Sequence, residues 1–195
     1  AHPPDIDFFS INKNKHNTEI SKVFVDCGAF HYSKFRTPKF SKGGFVNAYT
    51  AFDQYDKRHL KRNPNVDFLL CSPDHIVPPN ADNDTYSRRH NFTLTSAEIF
   101  FDLCKENSKI SPVGVVHGRT MQERADATSD LINLGFEYIA FGGLVPLARN
   151  TSEILFQLTG CNDKLNMKIT ETSALGIAKM AGVKTHLFGL NSPDW

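Results

Sequence analysis

Short apolar runs separated by longer amphipathic stretches make up most of this chain. Five runs are brief and rich in Val, Ile, Leu and Phe, which is typical of buried parallel strands, and we expect strands at 23–26, 66–71, 112–117, 137–141 and 184–188. The stretches between them carry apolar residues at helical spacing and predict helices over about 46–62, 95–106, 120–134, 150–158 and 171–181. Strands and helices therefore alternate, which predicts an α/β fold with parallel strands.

Two of the helix starts carry a capping-box pattern, in which a hydroxyl residue precedes a glutamate by three positions. Thr120 and Glu123 form one such pair. Thr95 and Glu98 form the other, and predict a helix that starts there or restarts after an earlier segment from Thr85.

The number of repeats indicates a barrel. Four of the strands run directly into a polar or glycine-rich cluster, and parallel folds build their sites at these carboxyl ends. A sixth strand is predicted near Phe8-Phe9. A complete eight-stranded barrel usually takes about 250 residues, and this chain has 195. We therefore expect residues 1–195 to form a single (β/α)8 TIM-type barrel domain that is incomplete or trimmed.

Composition narrows the class without naming a function. The 40% hydrophobic and 22% charged fractions are ordinary for a soluble globular protein. The net charge of +1 carries no global signal for nucleic acid. Two local basic runs, 57–62 and 88–90, are typical of solvated helix faces but could also hold phosphates.

The cysteines and the N-terminal sequence predict the compartment. The four cysteines are scattered singly with no CxxC pair, which argues against a structural zinc site and favours reduced thiols. The N-terminal sequence has no apolar core typical of a signal peptide, and no apolar run is long enough to cross a bilayer. A cytoplasmic protein without membrane contact is expected.

Polar residues at the strand ends are the candidates for chemistry. Asp26 ends the first strand, and beside it the Gly28 turn would let a flat ligand approach while Phe30 could stack on it. Asp74 opens a long loop, and His117 lies between a buried strand and a glycine. Each also has a structural explanation: a turn cap or lysine pair for Asp26, an Asx-turn acceptor for Asp74, a structural histidine for His117.

The Gly142-Gly143 pair follows the fourth strand. It offers bare backbone amides to a carbonyl or a phosphate, although a tight turn alone would also explain it. An aldolase-type barrel that binds phosphate here is one alternative. The absence of a lysine at a strand end argues against it.

Taken in order, these clusters resemble the tRNA-guanine transglycosylase superfamily over roughly residues 22–195. The run from Asp26 to His31 resembles the family's Asp-Ser-Gly-Gly/Ser/Ala-Phe-Gln motif, and Asp74 matches a later family aspartate. Val116-His117-Gly118 matches the family's Val-Gln-Gly, and Gly142-Gly143-Leu144 matches its Gly-Gly-Leu. Residues 186–194 resemble its (His/Tyr)-Leu-Met-Gly-x-Gly-x-Pro-Glu/Asp stretch. The residues in these motifs look most similar to those of the DpdA-type DNA 7-deazaguanine transglycosylases.

The resemblance implies a (β/α)8 barrel and a pentosyltransferase that exchanges guanine for a 7-deazaguanine base in nucleic acid, with DNA favoured over tRNA. It implies Asp26 as acid/base and base-binding residue and Phe30 as the stacking ring. It assigns recognition of the base to Asp74, His117, Gly142, Gly143 and Leu144.

Two departures accompany the resemblance. His31 and His117 stand where the family has Gln. The family's nucleophilic aspartate and its zinc ligands correspond to positions after Trp195, so we expect no metal or cofactor within this chain. Either a second catalytic segment would then complete the enzyme, or the chain is a non-catalytic subunit that binds a deazapurine or nucleic acid. A homodimer is the other partner that we expect.

Overall fold

A computed structural model of the chain describes residues 21–39, 44–147, 150–162 and 168–189. The strand expected near Phe8-Phe9 and the motif residues after Gly189 lie outside the described residues.

The predicted strands form one parallel sheet. Its members pair in sequence order: β1 (Lys22–Val25), β2 (Asp67–Cys71), β3 (Ile110–Val116), β4 (Tyr138–Phe141) and β5 (Lys184–Leu187). All five lie where the apolar runs predicted them, within two residues at each end. The helices between them are α1 (Ala48–Tyr55), α2 (Asn83–Lys105), α3 (Met121–Asn133), α4 (Thr151–Thr159) and α5 (Ala174–Met180).

The sheet is strongly curled. Phe24 of edge strand β1 contacts His186 of the opposite edge strand β5, with ring centroids 4.5 Å apart, and Phe188 packs against both rings. Side chains of the two edges can meet only if the sheet bends towards a barrel. The described residues therefore form a five-stranded half-barrel rather than the closed eight-stranded barrel that the resemblance implies.

Side chains alternate between the two faces of the sheet. Val23, Phe68 and Leu70 face the helices and pack in the outer core. Their neighbours Phe24 and Leu69 face the concave side with Val113, Val115 and Ala140. This alternation follows from the two-residue period of a strand. It decides which residues at the strand ends reach the concave side.

Helix α2 corrects one prediction. The helix runs unbroken from Asn83, where the Asp82 side chain accepts a hydrogen bond from the Thr85 amide at 2.7 Å. The Thr95–Glu98 pair lies in the middle of this helix and caps nothing, because the preceding turns are already helical. The Thr120–Glu123 cap of α3 is confirmed, with the Glu123 amide donating to the Thr120 hydroxyl at 3.2 Å.

Within the described part of the chain, none of the helices combines the length and the apolar character that a membrane span requires.

Candidate functional site

The strand period directs three strand-end residues to the concave side. Each follows a concave-facing residue by two positions, and the pairs are Phe24 and Asp26, Val115 and His117, and Ala140 and Gly142. They come from β1, β3 and β4, whose carboxyl ends meet at one edge of the sheet. Asp74 joins them from the loop after β2. The site is thus assembled from four strand ends.

Asp74 is the hub of this cluster. Its carboxyl group is 3% exposed and has a partner on each oxygen. Oδ1 accepts a hydrogen bond from the Cys27 thiol at 2.7 Å, and Oδ2 lies 2.5 Å from Nε2 of His117. These contacts join the loops after β1, β2 and β3. The Asx-turn explanation of Asp74 is therefore wrong, because its oxygens bind residues distant in sequence.

Asp26 lies beside Asp74 but reaches solvent. The surrounding protein raises the pKa of its carboxyl group above the ordinary 3.8, and the negative charge of Asp74 raises it further. Hydrogen bonds to the amides of Gly28 and Cys27 lower that pKa and offset part of the effect. A carboxyl group with a raised pKa at an open position is suited to giving and taking protons.

Cys27 was missed by sequence reasoning. Burial and then the charges of Asp74 and Asp26 raise the pKa of its thiol well above the ordinary 9.0. The thiol therefore keeps its hydrogen and acts as the donor to Asp74. It occupies the position of the serine in the family motif, which is the signal that could have identified it as a donor.

His117 is packed between Asp74 and the glycine pair. Its side chain is buried, and Nδ1 has no hydrogen-bond partner among the described residues. A Cβ atom on Gly142 would lie 2.4 Å from Cε1 of this ring, and one on Gly143 would lie 3.1 Å from Nδ1. The glycines therefore make room for the imidazole. Nε2 faces the Asp74 carboxyl group, and Nδ1 is the ring nitrogen that lies against the glycine pair without a described partner.

The other predicted site residues differ in their surroundings. Phe30 lies in a short 3₁₀ turn beside Asp26 and is 76% exposed, so its ring is free to stack. The side chain of Leu144 is fully buried in the outer core, which leaves its backbone as the part that can face a ligand. Base recognition by these residues stays a prediction.

His75 follows Asp74 in the loop after β2 and is buried. It is 1% exposed, and its ring packs edge-on against Tyr32 and Phe92. Burial and the nearby Arg89 lower the pKa of its imidazole to about 4, so the ring is neutral at physiological pH. His75 thus anchors the loop that carries Asp74.

Arg119 holds the rim of the site together. It pairs with Glu123 at 2.5 Å, donates to the carbonyl of Ala81 at 2.8 Å and lies 4.5 Å from the centre of the Tyr86 ring. These contacts tie the loop after β3 to the loop after β2. Sequence reasoning gave no signal for this role, since Ala81 lies 38 residues and Tyr86 33 residues before Arg119 in the chain.

The basic runs are largely engaged within the protein. Lys57 pairs with Asp53, and Lys61 pairs with Asp56. In the second run Arg88 pairs with Asp84, and Arg89 donates to the carbonyl of Ile76. These contacts favour the helix-face explanation over a phosphate site.

A zinc site does not fit the described residues. They contain no group of three or more His, Cys, Asp or Glu side chains arranged to hold a metal ion.

Comparison with known proteins finds a similar protein of described activity. A DNA-guanine transglycosylase from Salmonella montevideo is 34% identical over 162 residues, which cover 79% of this chain and 35% of the relative. This similarity supports the guanine transglycosylase family. The chain spans about a third of the length of the curated relative it matches. No protein-family model matches the chain.

Proposed function

We propose that this chain carries the base-recognition and acid/base site of a transglycosylase that exchanges guanine for a 7-deazaguanine base in nucleic acid. The observation that most supports this proposal is that Asp26 and Asp74 lie in one site with His117 and the Gly142-Gly143 turn. Their proximity is marked by the effect of the Asp74 charge on the pKa of Asp26. The 34% identical DNA-guanine transglycosylase supports the reaction class.

The polar atoms of the site suit one edge of a purine. The Asp26 carboxylate can accept hydrogen bonds from ring N–H groups. Nδ1 of His117 has no hydrogen-bond partner among the described residues, and a polar atom of the base that reached this buried nitrogen would satisfy it. The amides of Gly143 and Leu144 can donate to the exocyclic oxygen. Phe30 can cover the face of the base, since aromatic rings stack on nucleobases.

The exchange proceeds by two displacements at C1′ of the sugar. The nucleophile is the family's aspartate, which the resemblance places outside residues 1–195; its carboxylate attacks C1′, the bond to guanine breaks, and the electron pair of that bond leaves with the base. Protonated Asp26 gives its proton to the departing guanine. Its carboxylate then removes a proton from the incoming base, whose nitrogen forms the new bond to C1′ as the enzyme ester breaks. Both oxygens of Asp74 are already engaged, which argues against attack. We assign Asp74 to recognition, because each oxygen of a carboxylate can accept a second hydrogen bond.

The loop after β1 supports a nucleic-acid substrate. Its rings Phe30, Phe35 and Phe45 are exposed, and Lys34 and Lys39 lie over the second and third rings. Exposed rings beside lysines offer stacking to bases and charge to phosphates. A base extruded from its stack can enter a site bordered in this way. We favour DNA over tRNA because the relative is a DNA-guanine transglycosylase.

The test is exchange of radiolabelled guanine in DNA and tRNA, with 7-deazaguanine binding measured by calorimetry. Asp26→Asn should abolish exchange and leave the fold intact. Asp67→Asn is the matched control, because Asp67 is an exposed carboxylate at the opposite end of β2. Unchanged exchange in Asp26→Asn would refute the assigned role.

The second candidate is a subunit that binds the base without turning it over. The engagement of both Asp74 oxygens favours it, because it leaves Asp26 as the open carboxylate of this pair. It predicts 7-deazaguanine binding with no covalent adduct on denaturing gels. A trapped adduct would exclude this candidate.

A further inference from the structure

A fully buried arginine lies directly behind the site. Arg124 of α3 is 1% exposed, and its Nε donates to Oε1 of Gln157 at 2.9 Å. No carboxylate of the described residues pairs with it, since the neighbouring Glu123 pairs with Arg119. Burial lowers the pKa of this guanidinium to about 10, which leaves it charged at neutral pH. A buried charge without a counterion is costly, so a merely structural role is a poor explanation.

The free end of this guanidinium contacts the glycine turn. Nη1 donates to the carbonyl of Gly142 at 2.9 Å, while the Gly142 amide donates to the carbonyl of Val116 at 2.9 Å. The chain also leaves space for the arginine, because a Cβ on Gly118 would lie 2.8 Å from its Cγ. Gly142 is thus held at both its amide and its carbonyl.

Fixing the Gly142 carbonyl also fixes the direction of the Gly143 amide. The carbonyl of Gly142 and the N–H of Gly143 belong to one trans peptide, so they point in opposite directions. With the carbonyl directed at Arg124, the Gly143 N–H points away from the arginine, and no described residue accepts it. Donation to the carbonyl also polarises the peptide and strengthens its N–H as a donor.

We propose that Arg124 is a positioning residue that aims and polarises the Gly143 amide towards the exocyclic oxygen of the base. This inference rests on the proposed function. When the bond to C1′ breaks, the electron pair passes to the purine and spreads onto that oxygen. A fixed donor backed by a buried positive charge stabilises this developing negative charge, as oxyanion-binding amides do.

The first test compares two ligands that differ at this oxygen. Guanine carries it, and 2-aminopurine does not. Calorimetry should show that Arg124→Met weakens guanine binding roughly tenfold to a hundredfold, the loss expected for a charge-assisted hydrogen bond. Binding of 2-aminopurine should change by less than about twofold. Arg124→Lys keeps the charge and should recover part of the guanine affinity.

The second test needs no ligand. With ¹⁵N-labelled glycine the protein has twelve glycine amides, and the Gly143 resonance should move upfield more than the others in Arg124→Met. Gln157→Leu removes the partner of Nε but keeps the charge, and should leave that resonance close to its wild-type position. If Arg124→Met does not fold, Arg124→Gln, which also removes the charge but keeps a polar end, serves for the same comparison.

The outcomes separate the two proposals. A wild-type protein that binds neither purine overturns the proposed function, and a Gly143 resonance that still moves as expected upholds the positioning of the amide. An equal loss for guanine and 2-aminopurine, or an unmoved Gly143 resonance in folded Arg124→Met, overturns the inference about Arg124.

Discussion

The contact between Gly142 and His117 can be tested by adding a single methyl group. In Gly142→Ala the new Cβ would lie 2.4 Å from Cε1 of His117, where ordinary contact begins at 3.4 Å. The ring must therefore move by about 1 Å. Moved that far, Nε2 would no longer keep its 2.5 Å contact with Asp74.

The magnitude follows from two losses. Overpacking a well-filled site costs about 1–3 kcal/mol, and losing a hydrogen bond to a charged group costs about 1.5–3 kcal/mol. We expect Gly142→Ala to lower the free energy of unfolding by about 2.5–6 kcal/mol, the sum of the two losses and a large part of the 5–15 kcal/mol typical of a domain.

The assay is urea unfolding followed by circular dichroism for the wild type, Gly142→Ala, His117→Ala and the double variant. Removing the imidazole removes the clash, so the double variant should be less destabilised than the sum of the single variants by about 2 kcal/mol. Additive effects of the two substitutions would show that Gly142 does not make room for His117.

Three further predictions follow from the charges, the thiols and the helix caps. Asp26→Asn should stabilise the fold at neutral pH, because the raised pKa of Asp26 means that its ionised form is disfavoured when folded. This advantage should fade as the pH falls through the folded-state pKa towards 3.8, and an advantage independent of pH in urea unfolding would contradict the reasoning. Burial raises the pKa of the thiols of Cys27, Cys71 and Cys104, so iodoacetamide should alkylate them little in the native protein at pH 8. Mass spectrometry maps the alkylated cysteines, and fast alkylation of these three in the native protein would contradict the prediction. Asp82→Ala should lower the urea midpoint of unfolding and Thr95→Ala should not, because Asp82, and not Thr95, caps α2. Equal effects of the two substitutions would support a helix start at Thr95.

The local pattern of the chain was enough to predict its elements. Strand length, helical spacing and caps depend on neighbouring residues, so the five strands and the Thr120 cap could be located. The Thr95 pattern misled because a capping box also occurs inside a helix whose start lies further upstream. The ends of the strands could also be predicted from the sequence, and these ends identified Asp26, His117 and Gly142 as candidate site residues.

Contacts between distant residues required the tertiary structure. The pairing of Asp74 with His117 joins residues 43 positions apart, and the burial of Arg124 depends on α4 and on the turn after β4. The curl that brings Phe24 to His186 is a property of the whole sheet. The sequence alone determined which residues end the strands, because that depends on local periodicity. Only the register and bending of the sheet decided which of those residues touch and which atoms remain free for a ligand.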